Sequence, residues 1–154
     1  MAGAEPQRDR GGDGGEEGTG GRAIFRRRHR LGHNREFQAV YAARVRKARG
    51  PIAVFGIPND LGHPRLGLSV GRQVGSAVVR NRIKRLLREA FRLERAAGGL
   101  PTGLDLVVAV RPHRTMTLAA YRRVLADLAR EVEREWERRR RREERAEGTQ
   151  EAGG

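Results

Sequence analysis

The stretch from Val74 to Arg92, VGSAVVRNRIKRLLREAFR, constrains this chain more than any other. Six of its nineteen residues are Arg or Lys, yet Val, Ile, Leu and Phe recur among them. At about 100° per residue, Val79, Ile83, Leu86, Leu87, Ala90 and Phe91 gather on one side of a helix. Arg80, Asn81, Lys84, Arg85, Arg88, Arg92 and Arg95 gather on the other, with Arg82 between the two faces. The helix must therefore lie on a core and turn a basic stripe outward. Cations one turn apart repel by roughly a few tenths of a kcal/mol per pair, and only Glu89 and Glu94 are near enough in sequence to compensate. A charge run of this kind is either a solvated face or a surface for a polyanion.

The rest of the composition favours the polyanion. The 154 residues carry 33 Lys and Arg against 19 Asp and Glu, a formal net charge of +14, which makes nucleic acid the leading partner. All but Lys47 and Lys84 of these cations are Arg, whose planar fork binds phosphate at two points. There is no cysteine, so disulfides, thiolate nucleophiles and Cys-ligated zinc are excluded together. No apolar run approaches the roughly 18 residues of a membrane span, and the N-terminus lacks the apolar segment of a signal peptide. The chain reads as cytoplasmic.

Residues 1–21, Gly-rich and mixed in charge, read as a disordered tail, and residues 141–154 as a charged, mostly disordered one, with order lost after about Ala146. The domain is residues 22–140. Within it, HNREFQAVYAA sets Phe37, Val40 and Tyr41 at i, i+3 and i+4, which predicts a helix over Arg35–Ala43 with Asn34 as N-cap. PIAVFGIP and RLGLSVG read as strands, and NDLGHP between them holds reversal residues, so the two are expected to pair antiparallel. An earlier edge strand near Arg44–Lys47 is weakly marked. The basic helix should run to about Ala97, with Gly98 as a left-handed cap. LDLVVAV, Leu104–Val110, reads as a strand buried on both faces. Thr117 then caps an amphipathic helix through Leu118, Tyr121, Leu125, Leu128, Val132 and Trp136. The expected fold is α+β: a two-layer sandwich of a mixed, roughly four-stranded sheet with three helices.

Catalytic groups are sparse. His29, His33, His63 and His113 are scattered, Asp105 has no partner evident in the sequence, and no metal-site spacing occurs. SVGRQVGSA before the basic helix offers free amides to a phosphate but lacks the ending of a nucleotide-binding P-loop. Phe37 and Tyr41 are either core or a stacking platform for unpaired bases.

With RLGLSVGRQVGSAVVRNRIKRLLREAFR in view, Arg65–Arg92, the chain resembles the protein component of bacterial ribonuclease P. The likeness continues upstream through LGHNREFQAVY and downstream through LDLVVAVRP and the last helix, over about residues 29–137. Arg80-Asn81-Arg82 followed by Lys84-Arg85 is specific in that setting. The resemblance implies a ribosomal protein S5 domain 2-like fold with a left-handed β-α-β crossover. It also implies partnership with a large RNA that holds catalytic Mg²⁺ and removes the 5′ leader from precursor tRNA. The protein would bind the leader and stabilise the RNA; no cofactor is evident on the protein itself. By position, Arg80, Asn81, Arg82, Lys84, Arg85 and Arg88 match the helix that contacts the RNA subunit. Phe37, Tyr41, Arg65, Ser69 and Arg72 match the cleft that receives the leader. One departure is Gln73, where many members have a second basic residue; Arg44, Arg46 and Lys47 are the candidates to replace it. A structural RNA-binding protein, such as a ribosomal protein, is the alternative reading. A protein-only nuclease is disfavoured by the missing metal-ligand cluster.

Overall fold

The computed structural model describes residues 25–152, so the predicted tail at residues 1–21 lies outside the described residues. A single 3-10 turn, Arg27–His29, precedes α1 (Asn34–Ala42), β1 (Arg46–Arg49), β2 (Ile52–Pro58) and β3 (Arg65–Val70). A second turn, Arg72–Val74, leads into α2 (Ala77–Ala96), β4 (Leu104–Val110) and α3 (Leu118–Ala152).

The four strands form one mixed sheet in the order β1-β2-β4-β3. This corrects the expected pairing of β2 with β3. β4 lies between them, antiparallel to β2 and parallel to β3. A strand as apolar as LDLVVAV is stable only with neighbours on both edges and cover on both faces. The six residues from Asn59 to Pro64 are long enough to step across it. α2 joins the parallel neighbours β3 and β4.

Alternation along the strands separates the two faces. Ile52, Val54, Leu66, Val70, Leu106, Val108 and Val110 point into the main core, where they meet Ile83, Leu87 and Phe91 of α2 and Tyr121, Leu125, Leu128 and Val132 of α3. On the opposite face Val107, Phe55 and Ile57 form a smaller cluster with Leu31, Phe37 and Val40. The sheet with α2 and α3 is thus the two-layer body, and α1 lies on the outer face of the sheet. Truncating any fully buried Leu of the main core costs about 2–5 kcal/mol.

The helix ends follow local chemistry. Ser76 Oγ accepts from Val79 N–H (3.3 Å) and Thr117 Oγ1 from Ala120 N–H (3.2 Å). Gly98, at φ +72°, closes α2 as expected. Asn34 is not the cap of α1 but its first residue; the carboxylate of Glu36 reaches back to the N–H groups of Gly32 (2.8 Å) and His33 (3.4 Å). β1 starts at Arg46, two residues later than expected, because Arg44 is in the left-handed region at φ +57°. α3 differs most from expectation, remaining helical to Ala152 rather than losing order after Ala146. Its 35 residues span about 52 Å. Glu135 pairs with Arg138 and Arg139 one turn on, Trp136 Nε1 donates to Gly56 O (2.9 Å), and residues 141–149 are exposed.

Candidate nucleic-acid interface

Two surfaces collect the residues singled out from the sequence. The first is the outward side of α2. Asn81, Arg82, Arg85 and Arg88 are exposed, whereas Arg80 and Lys84 are half-buried at its flank. Arg80 Nε donates to Gly75 O (3.2 Å), tying the helix to the turn before it. Arg82 makes no ion pair among the described residues, and its field reaches the Tyr121 hydroxyl at the start of α3. Val78, 78% exposed, sits one turn before Arg82 and adds an apolar spot to the stripe. The two acids nearby are taken: Glu89 by Arg92 on the same helix, and Glu94 by Arg122 of α3 (2.8 Å).

The second surface is the outer face of the sheet beside α1. Strand register places Ser69, Ala109, Ala53 and Ala48 in one row across all four strands. Small side chains therefore pave a shallow floor beside α1, exposed at its ends at Ser69 and Ala48, half-buried at Ala109 and buried at Ala53. Above it, Phe37 rests on Gly67, where an added Cβ would lie 2.6 Å from the ring. Tyr41, 36% exposed, meets Phe55 edge-on with centroids 4.8 Å apart. The Arg46 guanidinium stands 5.9 Å from the Phe55 centroid on the same face. Phe55 and Arg46 thus join Phe37 and Tyr41 at the cleft wall. The parity of β2 was the signal for Phe55: Val54 points to the main core, so its neighbour must point outward.

Arg65 stands apart from the other cleft cations. It forks onto Asp105 through Nε (2.8 Å) and Nη2 (2.6 Å), and its Nη1 reaches Glu36 (3.1 Å). Asn59 Nδ2 adds a bond to the same Asp105 (2.7 Å). Burial works against the Glu36 carboxylate, but the Gly32 N–H, the Arg65 charge and the His33 N–H more than offset it and hold its pKa below the ordinary value. Arg65 therefore anchors α1 to the sheet, with two carboxylates already on its guanidinium. Ser69 and Arg72 are exposed at the other end of β3. Of the candidates to replace the basic residue absent at Gln73, Arg46 is on the cleft face, and Arg44 is exposed at the end of α1. Lys47 faces the other way, into a groove with Glu131, Arg134 and Arg138 of α3.

Among the described residues no three His, Asp or Glu side chains come together as metal ligands. The Asp105 and Glu36 carboxylates converge on Arg65, and His113 is spent on Tyr121 (2.7 Å). His29 is buried; its Nδ1 accepts from Arg26 N–H (3.0 Å), and its pKa is lowered to about 4 by burial and then by the charges of Arg95, Arg28, His63 and Arg26.

A basic stripe with one open sheet face beside it is a scaffold for RNA, and comparison with known proteins decides which. The family model for ribonuclease P matches residues 25–138. The chain belongs to the ribonuclease P protein family. The ribonuclease P protein component of Methylococcus capsulatus is 42% identical over 113 residues, 73% of this chain and 81% of that one. That of Chromobacterium violaceum is 42% identical over 112 residues, 69% and 90%. Among solved structures, the ribonuclease P protein from Thermotoga maritima has a TM-score of 0.58 at 30% identity, covering 65% of this chain and 94% of its own. The ribonuclease P protein from Staphylococcus aureus has 0.57 at 28%, covering 71% and 92%. The role of the family is processing of the tRNA 5′ leader together with an RNA subunit, and α3 beyond Arg138 lies past the part of this chain that the ribonuclease P model matches.

Proposed function

We propose that this chain is the noncatalytic protein subunit of a ribonucleoprotein endonuclease in the cytoplasm, whose RNA subunit hydrolyses the phosphodiester bond at the 5′ end of the mature tRNA. The observation that carries this reading is the pairing of two differently built surfaces on one fold. The α2 stripe, Asn81, Arg82, Lys84, Arg85 and Arg88 with Arg80 at its flank, is a mount for the structured RNA partner, held by phosphate contacts. The cleft floored by Ser69, Ala109, Ala53 and Ala48 admits an unpaired strand, and Phe37, Tyr41 and Phe55 give its bases a stacking edge worth about 1–3 kcal/mol per base. Arg72 and Arg46 flank that strand's backbone, and Arg65 braces the wall. Mg²⁺ belongs to the RNA in this division of labour: the carboxylates at the cleft, Glu36 and Asp105, are held in ion pairs with Arg65, so these residues brace the site while the RNA supplies the metal chemistry.

Reconstitution tests it. Cleavage of a precursor tRNA by the cognate RNA at low Mg²⁺ should rise on addition of the protein, and the protein alone should cut nothing. No stimulation would leave a structural RNA-binding role instead. Replacing Arg82 or Arg85 by Ala should weaken association with the RNA and lower its salt slope by roughly 0.7–0.9 each, one phosphate contact apiece.

A further inference from the structure

Lys47 of β1 and Arg134 of α3 hold no carboxylate within ion-pair distance among the described residues. Strand parity turns Lys47 away from the cleft, since its neighbours Arg46 and Ala48 take the outer face. Across from it α3 presents Arg134 and Arg138 one turn apart, and with Glu131 these side chains line an open groove of about 310 Å³. The acids of this margin are engaged. Asp127 and Glu131 face Arg49 (2.8 and 3.7 Å), and Glu135 faces Arg138 (2.6 Å) and Arg139 (3.7 Å). Arg134 makes a single bond, from Nε to Arg130 O (3.4 Å), so both of its terminal nitrogens are open to a ligand. The backbone behind the groove is fixed. Trp136 Nε1 donates to Gly56 O (2.9 Å) and Arg139 Nη1 to Ala43 O (3.4 Å), which pins this length of α3 to β2 and to the end of α1.

Given the RNA-partner reading above, on which this depends, we infer that the groove is a second phosphate site for the leader: Lys47 and Arg134 grip the backbone of the unpaired strand where it leaves the cleft over the β1 edge. The order of elements gives the direction of travel. α2, the mount for the RNA subunit, lies against β3, whereas α3 lies against β2 and β1. The RNA holds the bond to be cut, so the leader enters the floor on the β3 side, at Ser69, and reaches its far end at Ala48. β1 is the last strand of the sheet, and Ala48 sits on it between Lys47 and Arg49. A strand continuing past Ala48 therefore turns the edge into the groove. Three strand spacings separate the ends of the row, about 14 Å, a length that about four stacked nucleotides cover. Nucleotides beyond that number leave the floor. There an ammonium on one wall and a guanidinium on the other bracket a phosphate, and because fixed backbone carries both, the ordering cost of binding is low. A phosphate has no base identity, so this site reads the length of the leader and not its sequence.

The test uses the holoenzyme assembled from the full chain and its cognate RNA subunit, with two precursor tRNAs that differ only in leader length, about three nucleotides against about ten. Dissociation constants are measured across a NaCl series. Lys47→Gln/Arg134→Gln should weaken the long-leader substrate about fivefold or more at about 0.15 M salt, lower its salt slope by about 0.7–1.4, and leave the short-leader substrate within about twofold. Its melting temperature should stay within about 2 °C of the parent, because no ion pair is removed. Arg134→Gln alone, at an exposed position, should give about half of the slope change, and it decides the matter if the double melts lower. A control, Arg141→Gln/Arg142→Gln, takes the same charge from the exposed end of α3 and should leave the difference between the two leaders unchanged. Equal losses on both leaders, an equal long-leader loss in the control, or full affinity of the double for the long leader would each overturn the groove. A parent protein that does not associate with the RNA subunit would overturn the RNA-partner reading itself, whereas one that associates, beside a double that keeps the long leader, overturns only this site.

Discussion

His29 places an ionisable ring where a charge is poorly tolerated. In the unfolded chain it titrates near its ordinary value of 6.5, and in the folded chain near 4. Between these values the unfolded state holds about one more proton, so stability falls as pH falls through that window, with a slope of up to about 1.4 kcal/mol per pH unit. Urea denaturation at pH 7, 6, 5 and 4.5 should show this loss, and His29→Gln should flatten it. Glu36 acts in a lower window: its depressed pKa contributes stability that is lost as pH drops below about 4.5. Asp105→Asn should cost about 2–3 kcal/mol in the same denaturation assay, since it strips a charged acceptor from the Arg65 fork and leaves that guanidinium short of a partner. The sequence marks Arg65 as a polar residue on a strand and Asp105 as an acid in an apolar one. It does not join them, because they are forty residues apart and meet only once β3 and β4 are in register.

At the level of elements, the periodic segments were readable and their neighbours were not. α2 and β4 lie where apolar spacing places them, since a helix stripe and an apolar strand are local properties. The order β1-β2-β4-β3 is settled by which strand most needs cover on all sides, a global property, so the reversal residues in NDLGHP misled about pairing while marking the turn correctly. The face that α1 chooses depends on Gly67. Phe37 occupies the space that a side chain there would fill, and Leu31 Cδ1 is 3.1 Å from the same point. Gly67→Ala should therefore cost about 1–3 kcal/mol by overpacking. In a Phe37→Ala background the same change should cost much less, and the double-mutant cycle should return a coupling energy of at least about 0.5 kcal/mol. A null coupling would mean that the ring does not rest on this strand. Phe37→Ala alone should weaken substrates with long leaders more than those with short ones.

For the whole molecule, one face of the sheet is dry and the other carries a row of small residues exposed at both ends, which separates the duties of stability and binding. The far end of α3 belongs to neither. Residues 141–149 are exposed, so a chain ending after Arg140 should melt within about 2 °C of the full one by circular dichroism. The fraying expected near Ala146 was argued from composition, whereas the helix runs on to Ala152. The margins of the sheet have a consequence of another kind. β1, the outer strand, carries Arg46 exposed and Arg49 paired with Asp127 and Glu131 of α3, and β3 has part of its edge occupied by Arg30 and Leu31. A strand from another copy would have to align against Arg46 and the Arg49 ion pairs on one side and displace an existing bridge on the other. Both margins thus disfavour the addition of a protein strand, while the face of the sheet stays available to a nucleic-acid one.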